Sequence, residues 1–199
     1  MISMVTSGSE AFTKTQSNPM KLRIRPMELQ DLEQVVTIDQ MSFTMPWPLS
    51  AYTFELNENP GSLLLVAETL NTDPTGCSET QQIVGKPRII GLIVLWLILD
   101  EAHIATIAVH PDYRGRGVAR LMLIKALEEA VRRGADQATL EVRINNVAAQ
   151  KLYYRFGFEV VGHRPRYYRD NNEDALIMTV NHLGEEYLAW LKNSVYTPG

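Results

Sequence analysis

Arg114-Gly115-Arg116-Gly117-Val118-Ala119 is the stretch of this chain best suited to holding an anion. An apolar run, Ile104 to Val109, and a turn, His110-Pro111-Asp112-Tyr113, precede it, and an amphipathic run from Arg120 to Val131 follows. A glycine-rich turn that opens a helix leaves several backbone N–H groups without acceptors at the positive end of the helix dipole. That suits a phosphate or pyrophosphate. The glycines let the main chain approach a ligand closely, and Arg114 and Arg116 add charge. A dinucleotide-binding turn would need a third glycine where Arg120 stands, and an acidic residue ending the next strand, whereas Asp136 precedes that strand.

Other polar residues stand out more weakly. Read by itself, Glu141 in Leu140-Glu141-Val142 is a carboxylate on the solvated face of a strand, Tyr153 is a core aromatic, and Asn146 is a helix cap. His103 and His110 could serve as bases, with His110 reading as a surface residue of the turn before the glycines. The four histidines lack metal-ligand spacing, so no metal is expected. Cys77 lies in a polar loop with no activating partner nearby. As the single cysteine it excludes an internal disulfide and fits a reducing, cytoplasmic setting.

Positioning these residues requires an alternation of strands and helices. Strands are expected over Lys21 to Arg25, stopped by Pro26, then over Ser62 to Thr69, Arg88 to Leu99 and Ala102 to Val109. Further strands follow over Gln137 to Arg143, Phe158 to Gly162 and Ala175 to Val180. Helices are expected over Glu28 to Phe43, from a Ser50 cap through Leu56, from the glycine-rich turn to Arg133, from Asn145-Asn146 to Phe156, and over Glu185 to Lys192. Asp100-Glu101 would join a hairpin, and 70–87 reads as a polar loop. The order implies an α/β class with a mixed, mostly antiparallel central sheet flanked by helices. Residues 1–20 read as a mobile tail, 21–181 as one domain and 182–199 as a helical extension.

The 45% hydrophobic and 21% charged composition is that of an ordinary soluble globular protein. No apolar run reaches the ~18 residues of a membrane span, and the first twenty residues lack a signal-peptide core. A net charge of −4 argues against general nucleic-acid binding, although Arg164 to Arg169 forms a local basic, aromatic patch.

Ordered segments resemble the GNAT superfamily of N-acetyltransferases: Arg114 to Ala119, Leu140-Glu141-Val142-Arg143, Asn146, Lys151-Leu152-Tyr153, and Phe156-Gly157-Phe158. Within it, Phe43-x-x-Pro46-Trp47, Tyr167-Tyr168 and Glu173-Asp174-Ala175-x-x-Met178 resemble the ribosomal-protein-alanine N-acetyltransferases. The likeness covers about residues 21–180. It implies acetyl-CoA as co-substrate and a protein N-terminus, possibly of a ribosomal protein, as acceptor.

It also implies roles. The pantetheine arm would lie beside the backbone of Ile107, Ala108 and Val109, and the pyrophosphate on Arg114, Gly115, Arg116, Gly117, Val118 and Ala119, with Asn146 on the pantetheine. Glu141 would be the general base and Tyr153 the general acid that protonates the departing thiolate. Phe43, Pro46 and Trp47 would form one wall of an acceptor groove, Tyr167 and Tyr168 the other, although Trp47 also reads as a core anchor. The alternatives are an acetyltransferase for a small amine or another protein terminus, and a non-catalytic acetyl-CoA-binding regulatory module.

Overall fold

The computed structural model describes residues 21–70 and 88–195. The 1–20 tail, all but the first residue of the 70–87 loop, Cys77 and the last four residues lie outside them. The elements in chain order are β1 (Leu22–Pro26), α1 (Leu32–Ser42), α2 (Leu49–Asn57), β2 (Ser62–Thr69), β3 (Arg88–Ile98), β4 (Glu101–Val109), α3 (Val118–Arg132), β5 (Gln137–Arg143), α4 (Val147–Arg155), β6 (Glu159–Tyr168), β7 (Glu173–Asn181) and α5 (Glu185–Val195). The strands form one sheet in the order β1-β2-β3-β4-β5-β7-β6. Every pairing is antiparallel except β4 with β5.

The central strands are near-continuous apolar runs because helices cover both faces of the sheet. On one face, α1 and α2 bury Val35, Ile38 and Tyr52 against Leu64, Val66, Leu92 and Val94. On the other, α3 buries Met122, Leu123 and Leu127 against Leu65, Ile93 and Ile104. Gly91 lets α3 approach this closely, since a Cβ there would lie 2.9 Å from Met122 Cε and 3.1 Å from the Ala108 carbonyl oxygen. The C-terminal helix belongs to the same layer. Leu191 is buried in that core, and the Tyr187 hydroxyl donates to the Phe156 carbonyl at 2.9 Å.

Several boundaries differ from the sequence expectation for local reasons. Pro26 lies within β1, where an edge strand tolerates a missing N–H. Residues 29–31 form a 3-10 turn entered through a capping box of Glu28 and Asp31, so α1 starts at Leu32. Pro48, extended at φ −70° and ψ 156°, caps α2 two residues early, which puts Ser50 inside the helix and not at its cap. Glu101 already belongs to β4. The strand expected at Phe158 to Gly162 runs instead from Glu159 to Tyr168. Pro165 and the arginines disguise it, and only an edge strand could accommodate them.

A buried ion cluster ties β1 to β2. Arg25 holds Asp31 with two bonds of 2.7 and 2.8 Å and Glu68 at 2.9 Å, while Arg23 holds the other Glu68 oxygen. The Glu68 side chain is fully buried. Breaking such a cluster from one side is costly because a buried charge loses a partner. Arg25→Met is expected to destabilise the fold by about 3 kcal/mol, read as a lower urea midpoint at unchanged slope. An unaltered midpoint would mean the cluster contributes nothing net.

Candidate active site

The cleft begins where β4 and β5 part. They pair from Glu101↔Gln137 to Ile104↔Leu140 and no further. At that level β4 carries an extra residue, Ala105, opposite the Val94–Leu95 step of β3. A bulge bends its strand and strengthens the local twist, which turns the end of β4 away from β5. Ile107, Ala108 and Val109 therefore pair with Ile93, Leu92 and Gly91 on one side and present an open backbone edge on the other. Their side chains are occupied: Ile107 and Val109 pack towards α3, Ala108 towards α1. What faces away from β3 is main chain, of which the Val109 carbonyl is taken by the Arg114 guanidinium.

The glycine-rich turn closes one end of this cleft. Gly115 and Gly117 have φ of 72° and 80°, and Gly117 is the left-handed N-cap of α3. Open space surrounds both positions, so each glycine is required by its backbone conformation and not by crowding. The first turn of α3 offers the N–H groups of Val118, Ala119 and Arg120, since the first bond back along the helix runs from Leu121 to Gly117. The two arginines beside the glycines also have protein partners. Arg114 donates from Nε to the Val109 carbonyl at 3.0 Å and from Nη2 to Ser42 Oγ at 3.1 Å. Arg116 lies over the Tyr113 ring, 5.3 Å from its centroid. Asn146 caps α4 by accepting from the Ala149 N–H at 3.1 Å.

Glu141 sits just past the parting of the strands, with its side chain only 8% exposed. His103 Nε2 lies 3.3 Å from its Oε2, and Arg164 Nη2 lies 3.1 Å from its Oε1. Tyr153 is buried on α4 with its ring 5.8 Å from that of Phe158. Burial, reinforced by nearby Tyr168, pushes its hydroxyl well above the ordinary tyrosine range. That keeps the proton in place at any working pH.

The two segments expected to wall the acceptor are joined by a side-chain hydrogen bond from Thr44 to Asp170. On the segment between α1 and α2, Phe43 and Pro46 are exposed, whereas Trp47 is half-buried, tilted against Tyr52 at 5.4 Å and stacked on Trp96 at 6.0 Å. Asp39, fully buried on α1, accepts the Trp47 N–H at 2.6 Å and so fixes this wall. Burial raises the Asp39 carboxyl, and the Trp47 N–H opposes the rise. On β6, Tyr167 and Tyr168 meet edge-to-face at 5.2 Å. The Tyr168 hydroxyl reaches the Glu141 carbonyl at 3.4 Å, and Arg143 covers the Tyr168 ring at 3.9 Å. Burial pushes the Tyr168 hydroxyl up to about 12, with Arg143 opposing. Thr44 donates to Asp170, itself paired with Arg143 at 2.8 Å, so the α1–α2 segment is tied to the β6–β7 turn.

Sequence reasoning missed the neighbours of Glu141. His103 entered only as a rival base, and Arg164 only as part of a basic patch. A signal was available, because a turn between Ile98 and Glu101 forces Trp96 opposite His103. The contact of His103 with Glu141, by contrast, depends on the β4–β5 pairing. A concavity of about 670 Å³ lies at the β1–β2 edge between α2 and α3 and contains none of these groups.

A parallel strand pair that splays beside a glycine-rich helix start suits an extended, phosphate-bearing co-substrate, and comparison with known proteins identifies the class of enzyme. The chain belongs to the Acetyltransferase (GNAT) family, whose model matches residues 32–158. It is therefore an N-acetyltransferase of a family that uses acetyl-CoA. It is 36% identical to a Bacillus subtilis (strain 168) protein provisionally named a [ribosomal protein bS18]-alanine N-acetyltransferase, over 80% of this chain and 95% of the relative. The [ribosomal protein bS18]-alanine N-acetyltransferase of Escherichia coli (strain K12) is 31% identical over 79% of this chain and 95% of its own. The crystal structure of the ribosomal-protein-S18-alanine N-acetyltransferase from Escherichia coli superimposes with a TM-score of 0.66 at 29% identity, covering 81% of this chain and 94% of that one. Among the described residues no helix is long and apolar enough to cross a membrane.

Proposed function

We propose that this enzyme acetylates the N-terminal amine of a protein, and that its acceptor is a ribosomal protein beginning with alanine. The observation that carries this reading is the tie from Thr44 to Asp170, which joins the Phe43–Trp47 wall to the Tyr167–Tyr168 wall beside Glu141. A groove bounded on two sides suits an extended chain terminus better than a lysine in mid-chain. The chemistry favours the same choice, since an α-amine has a pKa of about 7.7–8.0 against about 10.4 for lysine, and so needs less help from a base. The names of the relatives support the acceptor. Such an acceptor would place the enzyme in the cytoplasm.

Each residue then has a task. The open edge of Ile107 to Val109 and the Asn146 amide hold the pantetheine arm, and one N–H of that edge faces the thioester oxygen. Gly115 to Ala119 hold the pyrophosphate through main-chain N–H groups. Acetyl-CoA supplies an acetyl group already activated as a thioester. Glu141 takes the proton from the incoming ammonium, directly or through one water, and Tyr153 gives its proton to the departing thiolate sulfur. No protein group is acetylated in between.

Kinetics with two classes of acceptor test the reading. A peptide carrying the alanine-initiated N-terminus of the ribosomal protein bS18 is expected to exceed every member of a small-amine panel in kcat/KM by about 10²-fold or more. Blocking its α-amine is expected to abolish turnover. Preferred acetylation of a small amine, or of an internal lysine on the blocked peptide, would overturn the proposal.

A further inference from the structure

We propose that His103 is a positioning residue for acetyl transfer: seated against Trp96 where β4 and β5 part, it holds Oε2 of Glu141 so that Oε1 faces the incoming amine. The inference rests on the reading of Glu141 as the base and adds the group that orients it.

Three features of the geometry converge on His103. Its partner across the β3–β4 ladder is Trp96, and the two rings stack at 5.6 Å with 13° between their planes. Trp96 stacks in turn on Trp47 and donates from Nε1 to Glu55 at 3.1 Å, so its own plane is fixed from two sides. His103 is thus clamped at the head of an aromatic ladder that starts at Tyr52 and includes the acceptor wall. Secondly, the clamped ring puts Nε2 3.3 Å from Glu141 Oε2. Thirdly, the two oxygens of Glu141 have partners of opposite character. Arg164, on Oε1, has a side chain about half exposed on the edge strand β6, whereas the His103 side chain is 19% exposed. A long exposed side chain is readily displaced by an ammonium, and a stacked ring is not. Oε2 is therefore the fixed oxygen and Oε1 the exchangeable one.

A carboxylate left free to rotate would present either oxygen to the acceptor, with its reacting geometry set by chance. A base must lie within hydrogen-bond reach of the proton it removes, and small misplacements cost large factors in rate.

Two substitutions separate the ring from its nitrogen. His103→Phe keeps the stack on Trp96 and removes Nε2, and His103→Gln loses the ring but carries an amide nitrogen at a similar reach. We expect His103→Phe to lower kcat by about 10- to 100-fold, with KM for acetyl-CoA within about twofold of the parent. His103→Gln is expected to recover a substantial part of that loss, which a purely packing role would not allow. In a Glu141→Gln background, His103→Phe should cost no further activity, because both changes act on one group. Wild-type kcat in His103→Phe, or a loss that multiplies with that of Glu141→Gln, would overturn the inference. Wild-type kcat in Glu141→Gln alone would instead overturn the assignment of the base, and the positioning role with it.

Discussion

Glu141→Gln is expected to lower kcat at pH 7 by about 10²- to 10³-fold while leaving the affinity for acetyl-CoA within about twofold. Glutamine has nearly the shape of glutamate but cannot take a proton from an ammonium. The carboxylate lies past the last paired residues of β4 and β5, on the strand opposite the open β4 edge, so its loss leaves the main-chain binding groups untouched. The direction of the pH dependence follows from the acceptor. An α-amine is mostly protonated below its pKa of about 7.7–8.0 and mostly free above it. The deficit of the variant should therefore be largest below pH 7 and should narrow as the pH rises to about 9. Steady-state rates across that range check both points, and a variant with the parental rate at pH 7 would remove Glu141 from the reaction.

Tyr153→Phe is the second large effect, about 10²-fold in kcat. The ring is buried against Phe158, so phenylalanine fills the same space and the fold should be unharmed. What disappears is a proton that burial binds tightly. Burial that disfavours the phenolate also disfavours a free thiolate in the same dry cleft, so the leaving sulfur gains basicity where the proton is offered. A diagnostic follows, because a donor with a more acidic thiol needs less protonation as it leaves. An aryl thioester that binds the cleft should show a much smaller loss in the variant than acetyl-CoA does. An equal loss with both donors would reassign Tyr153 to packing.

The main-chain part of the site was legible along the sequence because its residues are contiguous. The left-handed conformations of Gly115 and Gly117, the start of α3 and the Asn146 cap are set within a few residues of themselves. The strand expected to end near Gly162 runs on to Tyr168 for the complementary reason. Its prolonged pairing of Arg164 with Ala175 and Tyr168 with Glu173 depends on β7, not on local preference. Arg114 shows the same limit. Its charge beside the glycines is visible in the sequence, whereas the bond from its guanidinium to Ser42 on α1, 72 residues away, is not.

By itself, then, the sequence determined the order of elements, the phosphate-suited turn and the family, since each is carried by periodicity or by short contiguous motifs. It also named Glu141 and Tyr153 through that family likeness. Only the tertiary structure decided what surrounds them. The bulge at Ala105 opens the cleft, the β3–β4 register stacks His103 on Trp96, and the β4–β5 pairing brings His103 to Glu141. The tie from Thr44 to Asp170 spans 126 residues of chain. Contacts between residues so far apart are selected by the packing of the whole sheet, and no local pattern encodes them.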